Sequence, residues 1–215
     1  MRRLKMEKNM KSKIVVDSSA NVYQLPDVDF ACVPLKILTD EQEYVDTAEV
    51  DAPALAEMMR TYKGRTSTSC PNISDWMAAY EGADEVYVVT ITGTLSGAYN
   101  AALLAGEEYE QSHEGIRVIG QASDAGDLEV ICKTRGEHGA LERMVLEMKA
   151  HGLTNGRVHI DHCCNAAAAE RLKHMVHAVF PEAKVEVGTC GALCSYYAEY
   201  GGLMVGYEDN EAPTV

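Results

Sequence analysis

Basic residues are few in this chain of 215 residues, which has 19 Lys and Arg against 33 Asp and Glu. The formal net charge is −14, although six of the basic residues lie in the first 13 positions. The rest of the chain is therefore still more acidic and would repel phosphate backbones and anionic lipid headgroups. We expect neither nucleic acid nor a membrane surface as a stable partner.

Long hydrophobic runs are also missing. No stretch of about 18 apolar residues could form a membrane-spanning helix, and residues 1–13 have no apolar signal-peptide core. The seven cysteines are an odd number that includes the adjacent pair Cys163 and Cys164 but no Cys-x-x-Cys. These features favour a cytoplasmic protein whose thiols are reduced and structural.

Cysteine and histidine are densest from Asp161 to Cys164, with Cys190 and Cys194 further along. Such a density is a feature of zinc sites. Adjacent cysteines on a strand point to opposite faces, however, and free cysteine is a common core residue. We therefore predict no bound metal and no cofactor.

Strand-like and helix-like segments alternate along the chain. The predicted strands are Lys13–Asp17, Phe30–Leu38, Glu85–Thr92, Ile116–Ile119, Leu128–Ile131, Arg157–His162, Val185–Val187 and Gly202–Tyr207. The predicted helices are Asp51–Tyr62, Ser74–Tyr80, Ala98–Glu110, Gly139–His151 and Asn165–Phe180. This alternation predicts an α/β fold with a mostly parallel sheet in the first half, flanked by helices.

A change in loop composition around His113 to Gly115 predicts a boundary between two lobes. The predicted parts are a basic leader over residues 1–13, expected to be disordered, an N-terminal α/β lobe over 14–113, a smaller C-terminal α/β lobe over 116–208 and a tail over 209–215.

Polar loops follow or flank predicted strands at Asp17–Ser19, Thr66–Asn72 and Thr92–Gly97. Ligands of open α/β sheets bind at the carboxyl ends of strands. The third loop leads directly into a helix, whose first N–H groups and positive dipole end favour an anion. The hydroxyl groups of Thr94 and Ser96 add donors. The loop indicates an anion site, although Gly and Ser at a helix start are equally explained as capping residues.

The same loop does not match the common catalytic patterns. It lacks the Lys-Ser/Thr of a P-loop, the spacing of the dinucleotide fingerprint and the Gly-x-Ser-x-Gly of a nucleophile elbow. A hydrolase that uses Ser96 and a nucleophilic Cys70 are minor alternatives, because no His is placed by the sequence to act as a base.

Several segments, taken in order, match the pattern of one family. They are Asp17–Ser19, Val33–Leu35, Tyr44–Asp46, Thr68–Asn72, Leu95–Ala102, Cys132–Gly136, Cys194–Glu199 and Gly202–Tyr207. Together they resemble the DegV family of bacterial fatty-acid-binding proteins. Thr68–Asn72 is similar to its Thr-Ser-x-Pro-Ser loop, and Leu95–Ala102 is similar to its Leu-Ser-Gly-Thr-Tyr-x-x-Ala turn. The resemblance covers nearly all of residues 13–208.

The resemblance implies a binding protein and not an enzyme. Such a protein holds a long-chain fatty acid between two α/β domains. It presents the acid to a kinase subunit related to dihydroxyacetone kinase, for acyl phosphate formation. By position, Thr68 and Ser96 would bind the carboxylate, with Ser69 and Gly97 in the same loops. Arg135 lies at the position where the family has a basic residue. Tyr197 lies at the position where much of the family has a His.

The family pattern is interrupted between the helix ending near Glu110 and the strand beginning at Ile116. The family has another Asp-Ser strand, a long helical segment and a Gly-Arg-Ile/Val-Ser segment there. We therefore predict an internal deletion near residues 113–116, which would expose a sheet edge and favour a homo-oligomer. The alternative function is a shortened, non-binding remnant that acts only as a structural or interaction protein.

Overall fold

The computed structural model describes residues 10–113, 115–122, 133–134 and 136–208. Their strands are β1 (Ser12–Asp17), β2 (Phe30–Val33), β3 (Lys36–Thr39), β4 (Glu43–Val45), β5 (Thr66–Ser69), β6 (Glu85–Thr90), β7 (Arg117–Ala122), β8 (Arg157–His162), β9 (Lys184–Thr189) and β10 (Leu203–Tyr207). Their helices are α1 (Ala52–Thr61), α2 (Ile73–Tyr80), α3 (Ala98–Ser112), α4 (Glu137–Ala150), α5 (Ala166–Val179) and α6 (Ala192–Ala198).

The chain divides into two compact units. The described part of the first covers residues 10–48, 65–113 and 115–122, and that of the second covers 49–64, 133–134 and 136–208. The predicted tail and the predicted strand Leu128–Ile131 lie outside the described residues, as do the first nine residues of the leader. The leader was expected to extend to residue 13, but β1 already begins at Ser12, which pairs with Glu85 of β6.

The first unit contains a four-stranded sheet in the order β2-β1-β6-β7, and every neighbouring pair is parallel. Val15, Val86 and Val88 point from this sheet into a core shared with α2 and α3. Tyr80 of α2 is fully buried there, and its hydroxyl donates to the carbonyl oxygen of Ala102 at 2.9 Å. The predicted α/β fold with a parallel sheet flanked by helices is confirmed.

Capping at both ends determines where α2 lies. The Asn72 side chain accepts from the N–H of Asp75, and the Asp75 carboxylate accepts from the N–H of Asn72, which forms a capping box. At the other end, the ammonium group of Lys13 donates to the carbonyl oxygens of Ala79 and Glu81 at 3.2 and 2.6 Å. These contacts cap both ends of α2 and connect its last turn to β1.

The predicted strand Phe30–Leu38 is two strands that belong to different sheets. The chain leaves the ladder at Pro34, which has no N–H to donate. β3 then forms a second sheet, antiparallel, in the order β4-β3-β5. Residues 66–69 were expected to be a loop but form β5, in which Thr68 pairs with Ile37.

The strand after the predicted boundary belongs to the first unit, because β7 pairs with β6 in parallel from Arg117 to Ala122. The predicted lobe boundary at residues 113–116 therefore differs from the division that the contacts produce. Helix α1, predicted within the first lobe, belongs to the second unit and packs against α6. Ala56 of α1 is buried there in a cluster with Cys163, Cys190 and Cys194.

The second unit has a three-stranded sheet in the order β10-β8-β9, in which β9 is parallel to β8 and β10 is antiparallel to it. Its core packs Val158 and Ile160 against Leu141 of α4 and Leu172 of α5. No helix in the part of the chain that the structure describes has the length and apolar character needed to cross a bilayer.

Candidate functional site

Two predicted site residues lie at the end of β5. Thr68 and Ser69 are both half-buried, and the Ser69 hydroxyl donates to the carbonyl oxygen of Cys70 at 3.3 Å. Side chains alternate between the two faces of a strand, so Thr68 lies on the opposite face from the exposed Ser67. The segment then passes through Cys70 and Pro71 to the cap of α2.

Ser96 and Gly97 lie immediately before α3. The N–H groups of Leu95 and Ser96 both donate to the carbonyl oxygen of Thr92, at 3.1 and 3.2 Å, which closes the loop. The Ser96 hydroxyl accepts from the N–H of Ala98 at 3.2 Å. Gly97 is the N-cap of α3 and, lacking a side chain, makes no capping bond. The loop therefore presents a hydroxyl group and the positive end of a helix dipole.

The two predicted carboxylate-binding loops contact each other. A Cβ atom added to Gly97 would lie 3.2 Å from the Sγ atom of Cys70, closer than ordinary van der Waals contact. The structure thus brings the Thr68–Asn72 and Thr92–Gly97 segments together within the first unit. Sequence spacing could not show this contact, because 27 positions separate the two residues.

Asp17, at the end of β1, holds the third polar loop in place. Its fully buried carboxylate accepts from the N–H of Ile91 at 3.0 Å and from the N–H and the hydroxyl of Ser19. Burial raises the pKa of Asp17, although these hydrogen bonds act in the opposite direction. The carboxylate therefore anchors the chain that leads from β6 into the Thr92–Gly97 loop. The sequence marked Asp17 as part of a polar loop without assigning it this role.

The last two predicted site residues do not belong to the described part of the first unit. Arg135 lies outside the described residues. Tyr197 lies on α6 in the second unit, where 60% of its surface is exposed and its ring meets the ring of Tyr196 edge to face at 5.2 Å.

The cysteine-rich segment forms part of the core of the second unit. Cys163, Cys190 and Cys194 are buried free thiols, and burial raises the pKa of Cys190 to about 12. A thiol with so high a pKa is protonated at neutral pH and is a poor nucleophile. Among the described residues, no group of three or more His, Cys, Asp and Glu is arranged to hold a metal ion.

A cavity of about 90 Å³ lies beside α3 in the first unit. Its walls come from α3, from the end of β6 and from β7, and they include Tyr99, Leu103, Val88 and Val118. Tyr99 also packs on the site loop, because a Cβ atom on Gly93 would lie 3.1 Å from its Cδ1 atom. The Tyr99 side chain therefore contacts both the cavity and the Thr92–Gly97 loop.

The model of the DegV family, described as "Uncharacterised protein, DegV family", matches residues 11–115 and 111–209. The chain belongs to the DegV family. A DegV domain-containing protein from Streptococcus pneumoniae is 26% identical to it over 276 residues, covering 91% of this chain and 98% of the relative. Another, from Streptococcus pyogenes serotype M3, is 27% identical over 276 residues, covering 91% and 99%.

Solved DegV structures are similar to this one over nearly its whole length. A DegV family protein from Eubacterium eligens loaded with heptadecanoic acid has a TM-score of 0.87 and 25% identity, covering 93% of this chain and 100% of that one. The fatty acid kinase (Fak) B3 protein of Streptococcus pneumoniae loaded with linoleic acid has a TM-score of 0.86 and 26% identity, covering 94% and 100%.

The alignments with relatives run over 276 residues, more than the 215 of this chain. The relatives therefore contain internal residues without a counterpart here. The two matched segments of the family model meet at residues 111–115. Both findings agree with the internal deletion predicted near residues 113–116.

Proposed function

We propose that this protein binds a fatty acid, whose carboxylate lies at the start of α3 in the first unit. The observation that supports this most directly is the similarity to two DegV structures that hold heptadecanoic and linoleic acid. The geometry of the loop is compatible with this ligand, because a helix start and neutral hydroxyl groups suit a single carboxylate.

The carboxylate would accept hydrogen bonds from Ser96 and Thr68, with Ser69 and the backbone of Gly97 completing the site. The contact between Cys70 and Gly97 supports this assignment, because it keeps the two loops adjacent. Arg135 and Tyr197 are further candidates for the carboxylate or for a phosphate. Each hydrogen bond to the charged ligand would contribute about 1.5–3 kcal/mol.

The bound acid would be presented to a dihydroxyacetone-kinase-like fatty acid kinase subunit for acyl phosphate formation in the cytoplasm. The similarity to the Fak B3 protein supports such a partner. This chain would then act as the binding subunit without catalytic activity of its own. Mixing it with such a kinase, ATP and a fatty acid should yield acyl phosphate, whereas either protein alone should not.

Removing the hydroxyl donors should weaken binding of a fluorescent fatty acid. We expect Ser96→Ala to raise the Kd by roughly tenfold to a hundredfold, since one bond to a charged acceptor is lost. The double variant Ser96→Ala, Thr68→Val should lose more. Ser67→Ala is the matched control, because Ser67 is exposed and is not among the proposed site residues.

Two outcomes of this titration would contradict the site. One is equal affinity of the wild type and the double variant for the fatty acid. The other is an equal loss for the acid and its uncharged methyl ester, since the proposed bonds depend on the negative charge. Native mass spectrometry of the purified protein, followed by lipid extraction, would identify the acid that it carries.

The missing internal residues favour a second function, that of a shortened remnant which binds no lipid and serves only as a structural or interaction protein. Lipid extraction separates the two proposals, because a remnant would carry no stoichiometric fatty acid and would not bind one on titration.

A further inference from the structure

Strand β7 is grouped differently by the family match and by the structure. The second matched segment of the family model, residues 111–209, contains Arg117–Ala122 together with α4, α5 and α6 of the second unit. The structure instead pairs Arg117–Ala122 in parallel with Glu85–Thr90 of the first unit. The sheet of the first unit is therefore extended by a strand that is matched together with the second unit.

The internal residues that this chain lacks belong directly before β7. The two matched segments meet at residues 111–115, and the relatives contain internal residues without a counterpart here. In this chain β7 is the next strand after α3, so that β6, α3 and β7 form a parallel crossover unit. The strand that follows a crossover helix usually packs beside the strand that precedes it. A strand formed by the additional residues of a relative would therefore reach the same edge of β6.

The packing of β7 against α3 is close. A Cβ atom on Gly106 of α3 would lie 3.0 Å from the Cγ1 atom of Val118, and a Cβ atom on Gly120 of β7 would lie 3.0 Å from the Cδ2 atom of Leu103. Both distances are shorter than ordinary van der Waals contact. One glycine on each element thus lets the helix and the strand approach each other.

Polar contacts also fix β7 in the first unit. The N–H of Arg117 donates to the carbonyl oxygen of Asp84 at 3.2 Å, and the guanidinium group of Arg117 pairs with the Glu85 carboxylate at 3.4 Å. Successive N–H groups of a strand point to opposite sides, so the N–H of Val118 points away from β6. The Glu110 carboxylate of α3 accepts this N–H at 2.6 Å. Helix α3 is therefore joined to β7 at its last turns.

We infer that β7 is a substitute strand, which occupies beside β6 the position that the residues missing from this chain would occupy in its relatives. Through its contacts with α3, β7 also positions the helix that begins next to Ser96 and Gly97. This second part of the inference rests on the proposed function, because it concerns the carboxylate site at the start of α3. Gly106 and Val118 are then positioning residues, which act on the ligand through the helix.

Disulfide formation tests where β7 lies. Tyr87 and Ile119 are partners in the register of β6 and β7, so Tyr87→Cys, Ile119→Cys should form a disulfide on oxidation with copper phenanthroline. Mass spectrometry of the digested protein identifies the linked peptides. Tyr87→Cys, Gly120→Cys is the matched control, and it should yield at least about tenfold less disulfide, because a shift by one residue turns the side chain to the other face of the sheet.

Restoring the missing residues tests the substitution. The internal residues of the Streptococcus pneumoniae relative, inserted after His113, should form their own strand after α3 and displace β7 from β6. The yield of the disulfide between positions 87 and 119 should then fall at least about tenfold, since one strand edge accepts one partner. A Gly/Ser insertion of equal length is the control. It should preserve the disulfide, because a longer flexible loop adds little closure entropy.

A clash and its removal test the positioning of α3. Gly106→Ala places a methyl group against Val118, whose branched side chain is stiff. We expect the Kd for a fluorescent fatty acid to rise several-fold at a temperature where circular dichroism shows the variant to be folded. Adding Val118→Ala removes the contacting Cγ1 atom and should restore the affinity, a rescue that general destabilisation would not give.

Several results would overturn the inference. The substitute strand is wrong if Tyr87→Cys, Ile119→Cys forms no disulfide, if the disulfide survives insertion of the relative's residues, or if both insertions abolish it equally. The positioning role is wrong if folded Gly106→Ala binds the fatty acid as tightly as the wild type. The disulfide experiments need no ligand. A wild type that binds no fatty acid would therefore overturn the proposed function, and with it the positioning role, but would leave the substitute strand standing.

Discussion

The carboxyl group of Asp17 is fully buried where β1 ends, and it accepts hydrogen bonds from Ile91 and Ser19. Desolvation disfavours its charged form and raises its pKa above the ordinary value of 3.8. The folded state therefore binds the proton more tightly than the unfolded state does. The stability that this contributes is fully present below the unfolded pKa and is lost as pH rises through the folded pKa.

Replacing Asp17 with Asn should abolish this pH dependence. The Asn oxygen can still accept a hydrogen bond from one N–H group. The Asn NH₂ group, however, replaces the second carboxylate oxygen and faces another hydrogen-bond donor. We expect the free energy of unfolding of the wild type to fall, relative to that of Asp17→Asn, as pH rises from about 4 to about 8. Urea unfolding at several pH values measures the difference between the two free energies of unfolding. A difference that stays constant with pH would contradict the raised pKa of Asp17.

The contact between Cys70 and Gly97 should be detectable by a pair of substitutions. Gly97→Ala places a methyl group 3.2 Å from the Cys70 sulfur, which must move by a few tenths of an ångström. Because the sulfur belongs to the loop that carries Thr68, we expect the Kd for a fluorescent fatty acid to rise several-fold. Adding Cys70→Ala to the Gly97→Ala variant removes the clash and should restore binding.

Cys70→Ser alone should leave affinity nearly unchanged, since the thiol has no assigned chemistry and serine is of similar size. If the double variant Gly97→Ala, Cys70→Ala binds the fatty acid no more tightly than Gly97→Ala does, the contact does not position the loops. Complete loss of binding in Cys70→Ser would instead point to covalent chemistry at that residue.

At the scale of elements, the capping box of α2 links helix stability to the candidate site. Asn72→Ala removes the side-chain bond to the N–H of Asp75 and should lower the free energy of unfolding by about 1 kcal/mol. Asn155→Ala, at an exposed residue outside any helix, should change it far less. Urea unfolding of both variants checks this, and equal losses would show that the cap contributes no specific stability.

The whole molecule presents features that favour self-association. Among the described residues of the first unit, β7 is a terminal strand of the four-stranded sheet, and Tyr87 and Val89 on β6 are 40% and 47% exposed. A net charge of −14 opposes contact between copies. We expect association that strengthens with added salt, which screens this repulsion, measured by light scattering at low and high salt.

Ile119→Lys adds a charge to the terminal strand β7 and should reduce this association. A monodisperse monomer at every salt concentration would show that the exposed edge and face do not drive assembly.

Much of the fold follows from local sequence. The amphipathic helices, their caps at Asp51, Asn72 and Asn165, and the α/β class depend on residues close together in the chain. The family resemblance also came from short segments, and the family match confirms it. Local patterns are sufficient here because periodicity and capping act within one or two helical turns.

The sequence by itself determined the family and the class, and it predicted the loops that could bind an anion. Only the tertiary structure decided that Pro34 separates two sheets, that β7 joins the first sheet and that α1 joins the second unit. It also brought Cys70 against Gly97 and formed the cavity between α3 and β7. These features depend on which distant segments bury apolar surface against each other, and that choice is made by the packing of the whole chain and not by any local pattern.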